Sequence, residues 1–330
     1  MFIKTHLAKS VSLIFNPLLC ALLSLCLPPC GKAADYAYIT NQGAHTVSIV
    51  DLQLHKVVNT LPVGKAPVGV AVDNRNQLVY VSNVEGHSLS VIDMQRQQVT
   101  RTISLPIAPV GLAVNKAGDQ LYVADWYHDH LLVLAAKTAE VVAQIQVGHA
   151  PGGMQLGQDD ATLYVANRDS NDVSVIDTRS RKALQRINVG QHPFGLSLSR
   201  DGQQLFVVNV YSNSISVIDT RSHKVVNTLA TGEHPYCATT DSNDHYLYVT
   251  NTGEDSVTVI DLHSQKTIRK VRVPGTPEGI AYDAARQQVL VASWMDNVLV
   301  AMDGLNLTLK PLIEVGAQPR AFGQFIGTVP

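Results

Sequence analysis

Cysteine, charge and aromatic residues are all scarce in this chain of 330 residues. Charged residues make up 16% of the sequence and aromatic residues 6%, whereas 45% is hydrophobic, which is enough for a large buried core. Three of the four cysteines fall in the first 30 residues, so Cys237 stands alone in the rest of the chain. A lone cysteine cannot form an intramolecular disulfide, and packing must therefore supply the stability.

Motifs that define common enzymes and cofactor sites are missing from the sequence. It contains no Gly-rich phosphate loop, no serine nucleophile elbow, no Cys-x-x-Cys-His and no calcium-loop pattern. These absences exclude phosphate-loop nucleotide binding, elbow-type serine hydrolysis, covalent haem attachment and a calcium-loop site. Any ligand site must therefore rest on residues that no short motif marks.

The longest apolar run lies at the N-terminus. A positively charged start precedes residues 11–27, which are largely apolar, and residues 31–33 offer small side chains at a cleavage site. Because the run is short for a spanning helix, this layout predicts a secretory signal peptide over residues 1–33. The mature chain would be periplasmic or secreted, with no membrane span. A retained N-terminal anchor is the alternative.

Removal of the predicted signal peptide changes the charge balance. Three lysines are lost, so 22 basic residues face 27 acidic ones and the net charge is about −5 with neutral histidines. This mild acidity argues against a nucleic-acid partner. The basic hairpins at residues 179–182 and 221–224 are most simply solvated turns.

A 42-residue sequence repeat occurs seven times at constant spacing. Its clearest marker is a proline at Pro67, Pro109, Pro151, Pro193, Pro235, Pro277 and Pro319. A fixed period of this length is typical of repeat architectures, in which each unit buries its apolar face only by stacking on its neighbours.

Each repeat contains four short apolar runs bounded by turn formers, as at residues 68–72, 78–81, 89–92 and 99–103. The runs alternate and are rich in β-branched and aromatic residues, and no convincing helical period follows the signal segment. Four strands in 42 residues make one propeller blade. The sequence therefore predicts an all-β, seven-bladed β-propeller over residues 34–330, with four antiparallel strands per blade.

The two chain ends predict how the ring closes. The mature N-terminus enters at the second strand of a blade, residues 36–40, whereas residues 320–325 follow Pro319 in the register of a first strand. We expect one C-terminal innermost strand to pair with three N-terminal strands, because this removes two sheet edges.

The repeated residues have structural explanations. The proline fixes φ where an outer strand leads to the next inner strand, and the glycine two residues later lies where inner strands crowd the channel. The asparagine of Tyr-Val-x-Asn and the aspartate of Val-Ile-Asp can hydrogen-bond their own turns. We therefore expect these polar residues to be structural rather than catalytic.

Residues 80–83, 164–167 and 248–251 read Tyr-Val-Ser-Asn, Tyr-Val-Ala-Asn and Tyr-Val-Thr-Asn, and residues 173–178 read Val-Ser-Val-Ile-Asp-Thr. With these motifs the chain resembles the YVTN family of β-propeller repeat proteins over about residues 36–326. The resemblance implies a secreted or periplasmic propeller whose wider relatives include lactonases and the haem-carrying propeller of nitrite reductase. It implies no catalytic residue, because that family has no universal one.

Departures from the repeat mark the candidate site. The loops between outer and inner strands and between second and third strands should share one face, where propellers usually hold ligands. Beside each proline the first three repeats carry only alanine, valine or glycine. The later repeats carry His192, Phe194, His234, Tyr236, Glu278 and Arg320, with Cys237 in place of a crowding glycine. We interpret these residues as ligand-facing. The alternatives are an ordinary loop variant, a plain Glu278–Arg320 rim pair and, for Cys237, a tolerated small residue rather than a metal or redox group.

The third repeat departs most, because Trp126, Tyr127, His128 and His130 replace a small polar loop. Corresponding loop positions elsewhere hold Arg168, Tyr211 and Trp294. These residues either contact a ligand or partner or cap their own blades. His128 and His130 could hold a divalent metal if His149 on the neighbouring loop added a third ligand.

Three functions remain open. The first is an exported non-catalytic binding or scaffold protein, monomeric, that engages a small molecule or a periplasmic protein partner at this mouth and needs no cofactor. The second is a lactonase-like hydrolase using His234 as base, Glu278 as orienting carboxylate and Arg320 as oxyanion partner. The third is a haem or metal carrier in periplasmic electron-transfer assembly, with His192 or His234 as axial ligand.

Overall fold

The computed structural model describes residues 1–2 and 33–330, and the predicted signal peptide lies almost wholly outside them. Residues 33–330 form one compact unit. Its strands are β1 (Ala34–Asn41), β2 (Thr46–Asp51), β3 (Lys56–Pro62), β4 (Pro67–Asp73), β5 (Leu78–Asn83), β6 (Ser88–Asp93), β7 (Gln98–Ser104), β8 (Pro109–Val114), β9 (Gln120–Asp125), β10 (His130–Ala135), β11 (Val141–Gln146), β12 (Pro151–Leu156), β13 (Thr162–Asn167), β14 (Asp172–Asp177), β15 (Lys182–Asn188), β16 (Pro193–Leu198), β17 (Gln204–Asn209), β18 (Ser214–Asp219), β19 (Lys224–Ala230), β20 (Pro235–Thr240), β21 (Tyr246–Asn251), β22 (Ser256–Asp261), β23 (Lys266–Arg272), β24 (Pro277–Asp283), β25 (Gln288–Ser293), β26 (Val298–Asp303), β27 (Ile313–Glu314), β28 (Phe322–Gln324) and β29 (Ile326–Val329).

The strands form seven antiparallel blades, which confirms the predicted all-β, seven-bladed propeller. Blade 1 has the order β29-β1-β2-β3, and blades 2 to 7 begin with inner strands β4, β8, β12, β16, β20 and β24. Each blade runs outward from its inner strand to an outer strand, and the outer strand of blade 7 shrinks to the two residues of β27. No helix of the described chain is long and apolar enough to cross a membrane.

The repeated polar residues have the structural roles that the sequence predicts. Asn83 Nδ2 donates to Ser88 Oγ at 3.2 Å and Ser90 Oγ at 3.0 Å, across the β5–β6 hairpin. Asp219 Oδ1 accepts the backbone N–H of Ser222 at 2.7 Å, which closes the following turn. The same contacts recur in other blades, so these side chains stabilise hairpins and turns.

Inner strands approach one another closely at the position two residues after the repeated proline, which is glycine in five of the seven repeats. A Cβ built on Gly153 would lie 2.1 Å from the carbonyl oxygen of Phe194 in the next blade, and one on Gly69 would lie 2.1 Å from that of Val110. Such contacts are shorter than any real Cβ makes, so a side chain would push the blades apart. The glycine therefore sets the packing of the inner strands around the channel.

The ring closes as predicted, with one C-terminal strand completing the three N-terminal strands of blade 1. Pro319 bridges Asn41, and β29 pairs with β1 in an antiparallel register from Ala34↔Val329 to Ala37↔Ile326. The expectation that residues 320–325 form this inner strand is wrong in detail. Residues 322–324 leave blade 1 and pair in parallel with β4 as β28.

Two features explain the excursion of β28. Gly323 has a φ of 117°, a conformation that favours glycine. Phe322 gains a buried position inside the channel, where its ring stacks on Phe194 at a centroid distance of 4.5 Å. We call residues 322–324 the channel plug.

The inner-strand glycines should tolerate no side chain. Gly153→Ala is expected to destabilise the fold by about 1–3 kcal/mol, because its methyl group must displace the backbone of the next blade. Chemical denaturation measures the change. Gly157→Ala is the matched control, since its Cβ would meet only ordinary contacts of 3.4 Å or more. Equal stability of the two variants would contradict the crowding.

Loss of β29 should open the ring. Deletion of residues 326–330 removes the four registered pairs with β1 and exposes that strand as a sheet edge. We expect a lower thermal midpoint and a broader transition by circular dichroism. Deletion of Pro330 alone leaves the pairing intact and should behave as the full chain. An unchanged midpoint in the longer deletion would show that closure contributes little.

Candidate functional site

The candidate site lies on the face where outer-to-inner loops meet the loops between second and third strands, here called the upper face. The two kinds of loop are joined by hydrogen bonds, for example from the N–H of Gly86 to the carbonyl of Lys65 at 3.2 Å. His192 and His234, both before a proline, have φ values of 52° and 47°. Their N–H groups donate to Asn171 and Asn213 on the adjoining hairpins. The backbone of both histidines is thus fixed by the repeat.

A charged cluster occupies one half of the channel mouth. Arg320 Nη1 donates to both carboxylate oxygens of Glu278 at 2.9 and 3.1 Å and to Tyr236 Oη at 3.1 Å, while its Nε donates to Gln42 Oε1 at 2.6 Å. Glu278 is only 5% exposed. The predicted Glu278–Arg320 pair is therefore present, as a buried bond network rather than an exposed rim pair.

Burial governs the electrostatics of this cluster. Desolvation raises the pKa of Glu278 to about 7, against the opposing effect of the Arg320 guanidinium. Desolvation also raises the pKa of Tyr236 well above its usual value, with a further contribution from Glu278. The phenol therefore stays protonated near neutrality.

An aromatic cluster fills the rest of the mouth. The ring of Phe194 lies 4.5 Å from the rings of both Tyr236 and Phe322 and 6.1 Å, edge to face, from Trp126. Arg168 stands 5.9 Å above the ring of Trp126. The predicted residues Phe194, Tyr236 and Trp126 do converge, but they pack on one another and on the channel plug, so the mouth is filled from within.

The accessible part of the upper face is a rim beside this cluster. His192 stacks on Tyr211 at a centroid distance of 4.1 Å, and the ring of His234 lies 5.7 Å from Tyr211 at a tilted angle. Tyr211 is 54% exposed. We call His192, Tyr211 and His234 the histidine–tyrosine rim. Burial and then the nearby Arg168 lower the pKa of His192, which keeps its imidazole neutral near pH 7.

The two remaining loop aromatics are placed differently. Tyr127 is 70% exposed on the third-repeat loop. Trp294 is half-buried on the equivalent loop of blade 7, and its indole N–H finds no acceptor within residues 33–330. Trp294 is thus partly covered by the protein, whereas Tyr127 is free to contact another molecule.

The three histidines proposed for a metal do not form one set. His128 Nδ1 lies 2.8 Å from Asp125 Oδ2 and His130 Nε2 lies 3.5 Å from the same oxygen. His149 instead contacts Asp129 at 2.6 Å. Among the residues described, no group of three or more histidine, cysteine, aspartate or glutamate side chains has metal-binding geometry. The structure thus offers no support for this metal hypothesis.

Cys237 is buried beneath the mouth, where Thr250 Oγ1 bridges its backbone N–H and C=O. Desolvation, followed by the charge of Glu278, raises the pKa of its thiol. A thiol that stays protonated is a poor nucleophile and a poor metal ligand. The environment favours a small packing residue over a redox group.

The lactonase-like grouping is not assembled. Glu278 and Arg320 are bonded to each other, whereas no hydrogen bond within residues 33–330 joins either of them to His234, which stands on the exposed rim. A general base must lie within hydrogen-bonding reach of the groups with which it acts. This geometry therefore does not support the hydrolase hypothesis.

Two contributors to the site were missed by the sequence analysis. Phe322 was expected within a regular strand, yet it fills the channel beside Phe194. Gln42 was not singled out in the sequence, yet its Oε1 accepts a hydrogen bond from Arg320 Nε. Gly323, next to Phe322, could have indicated that the strand is interrupted there. Nothing in the repeat pattern marks Gln42.

The fold and its upper-face loops define a seven-bladed propeller with a closed channel mouth and an exposed rim. A family model described as YNCE-like beta-propeller matches residues 71–159 and 155–245, more than half of the chain. The chain therefore belongs to the YNCE-like β-propeller family. A second family model, described as Cytochrome D1 heme domain, matches residues 203–324. No protein of curated function matches the sequence significantly.

Solved propellers share the fold at low sequence identity. Kuenenia stuttgartiensis hydrazine synthase aligns with a TM-score of 0.73 and 21% identity over 82% of this chain and 92% of that one. A functionally unknown protein from Desulfotomaculum acetoxidans DSM 771 gives 0.73 and 14% over 87% and 99%. The dihydro-heme d1 dehydrogenase NirN, in complex with DHE, gives 0.67 and 16% over 86% and 74%.

The buried Glu278 should make stability pH-dependent. Its folded pKa of about 7 exceeds the ordinary 4.5, so its contribution to stability is full below pH 4.5 and is lost as pH rises through 7. The loss is on the order of 3 kcal/mol. Glu278→Gln should flatten this part of the profile, measured as unfolding free energy in denaturant from pH 4 to 8.

The exposed carboxylate of Glu233, on the same face, offers a matched control. Glu233→Gln should keep the slope of the unmodified chain. A Glu278→Gln profile parallel to the original would show that Glu278 is ionised throughout this range.

Proposed function

We propose that this protein is an exported, non-catalytic binding propeller that takes a planar, tetrapyrrole-type ligand on its histidine–tyrosine rim. The observation that carries the proposal is the grouping of His192, Tyr211 and His234, in which two imidazoles lie beside one exposed aromatic ring. Stacked aromatic surface suits a flat conjugated ligand, and neutral imidazole nitrogen suits its central metal.

The donor groups of the rim fit an iron tetrapyrrole. Nδ1 of His192 is buried without a hydrogen-bond partner in the described chain, so the ring is not committed to a structural bond. His234 is exposed and available. The imidazole of His192 or His234 would hold the iron, Tyr211 would add aromatic contact beside it, and the guanidinium of Arg168 would pair with a propionate. A bound iron would supply one-electron chemistry.

The channel itself does not fit such a ligand. Phe194, Phe322 and the Glu278–Arg320 pair fill the mouth, so a macrocycle would lie on the rim rather than enter. The filled mouth also supports a non-catalytic role, because its polar groups bond one another. We extend the proposal to the periplasm or the exterior, on the strength of the predicted signal peptide.

Two comparisons support the ligand class. The match to the Cytochrome D1 heme domain spans residues 203–324, which include Tyr211 and His234. The structurally similar dihydro-heme d1 dehydrogenase is described in complex with DHE. The lactonase-like alternative has no corresponding observation in its favour.

Titration of the purified chain with haemin tests the proposal. We expect a saturable, one-to-one shift of the Soret band. His192→Ala and His234→Ala remove the two candidate axial nitrogens, so at least one of them should weaken binding by about tenfold or more. Absorbance titration measures the dissociation constant of each variant.

His149→Ala is the matched control, because His149 is an exposed histidine on the same face but outside the rim. It should bind haemin as the unmodified chain does. Absence of a Soret shift, or equal affinity in all three variants, would refute a rim site.

A further inference from the structure

A cavity of about 730 Å³ opens on the opposite side of the propeller, here called the lower face. The ends of the inner strands and the turns that follow them line it, from residues 71–75 in blade 2 to residues 280–282 in blade 7. Its floor includes Phe322 and Cys237, whose other sides meet the clusters of the upper mouth. The channel plug thus separates this cavity from the histidine–tyrosine rim.

The polarity of the cavity wall varies around the ring at one repeat position, four residues after the proline. Blades 2, 3 and 7 carry Ala71, Ala113 and Ala281 at this position, and all three line the cavity. The equivalent residues in blades 4, 5 and 6 are Gln155, Ser197 and Thr239. The channel plug adds the exposed side chain of Gln324. Hydrogen-bonding groups are therefore concentrated on one half of the ring.

Three of the four polar side chains on this wall have no hydrogen-bonding role in the described part of the fold. Within residues 33–330 the side chains of Ser197, Thr239 and Gln324 make no hydrogen bond, whereas Gln155 donates to the carbonyl of Leu156 at 3.0 Å. The inner strands β12, β16 and β20 are also sheet edges that line the cavity, so their free backbone groups add further donors and acceptors. Alanine at the same position in three other blades shows that packing does not require polarity there.

Charge is confined to the cavity entrance. Asp160 accepts the N–H of Lys116 at 2.6 Å, and Asp73 bonds Asn76 at 2.8 Å. Lys116 Nζ donates to the carbonyl of Gln158, and Arg200 Nη1 donates to that of Ser242 at 2.8 Å. These four side chains hold turns together, whereas the guanidinium of Arg75, on the turn after β4, makes no hydrogen bond within residues 33–330. The deeper wall is neutral, including the protonated thiol of Cys237. A charged group held in the deeper part would lose its hydration, while the counter-charges stay in the turns at the entrance.

We propose that the lower cavity binds a neutral, polyhydroxylated molecule of mono- or disaccharide size. Each hydroxyl of such a molecule both donates and accepts, which matches the amide and hydroxyl groups of the wall. The cavity volume lies within the range of small-molecule sites. This site is independent of the proposed rim function.

Calorimetric titration of the full chain with glucose, maltose and trehalose tests the proposal, with glucuronate as the charged counterpart of glucose. At least one neutral sugar should bind at a single site, and glucuronate should bind more weakly than glucose. The triple variant Gln155→Ala, Ser197→Ala, Thr239→Ala should weaken binding by about tenfold or more, since it removes three hydrogen-bonding groups.

The thermal midpoint of the triple variant should stay unchanged, because alanine already occupies this position in three blades. His234→Ala, which alters only the upper rim, should bind sugar normally and so separates this site from the haemin site. The inference fails if none of the three neutral sugars binds, if glucuronate binds as tightly as glucose, or if the triple variant keeps full affinity.

Discussion

The pairing of β29 with β1 is the interaction on which the rest of the structure depends. It joins the last residues of the chain to the first described strand and turns a row of blades into a ring. Closure also places Arg320, which bonds Tyr236 and Glu278, beside Gln42 at the start of the ring. The same closure lets the inner strands enclose a cavity on the lower face.

Crowding around the axis decides what each half of the channel contains. The glycines after the prolines let the inner strands approach to backbone contact, which leaves little room at the upper mouth. Phe322 enters that space from the channel plug and stacks on Phe194. As a result the upper site is a surface rim, and the space available to a small ligand lies below the plug.

Departures from the repeat carry the specific features on both faces. At the mouth, blades 5, 6, 7 and 1 replace small residues by rings and charges. In the lower cavity, blades 4 to 6 replace alanine by hydroxyl and amide groups. Residues that recur in nearly every blade, such as Asn83 and Asp219, instead stabilise hairpins and turns. Positions that are the same in nearly every blade thus build the scaffold. Positions that vary make some blades chemically different from the others, and the candidate sites lie beside those blades.

The sequence by itself determined the blade number, the strand content, the closure and the structural use of the repeated residues, because a strict period and alternating apolar runs report local geometry that every blade shares. It also brought Glu278 and Arg320 to equivalent positions in adjacent blades. Only the tertiary structure decided that this pair is buried, that His149 turns to Asp129 rather than to His128, and that residues 322–324 leave blade 1 to fill the channel. Those outcomes depend on how much space remains at the axis when seven blades meet. The sequence of a single repeat does not give that space.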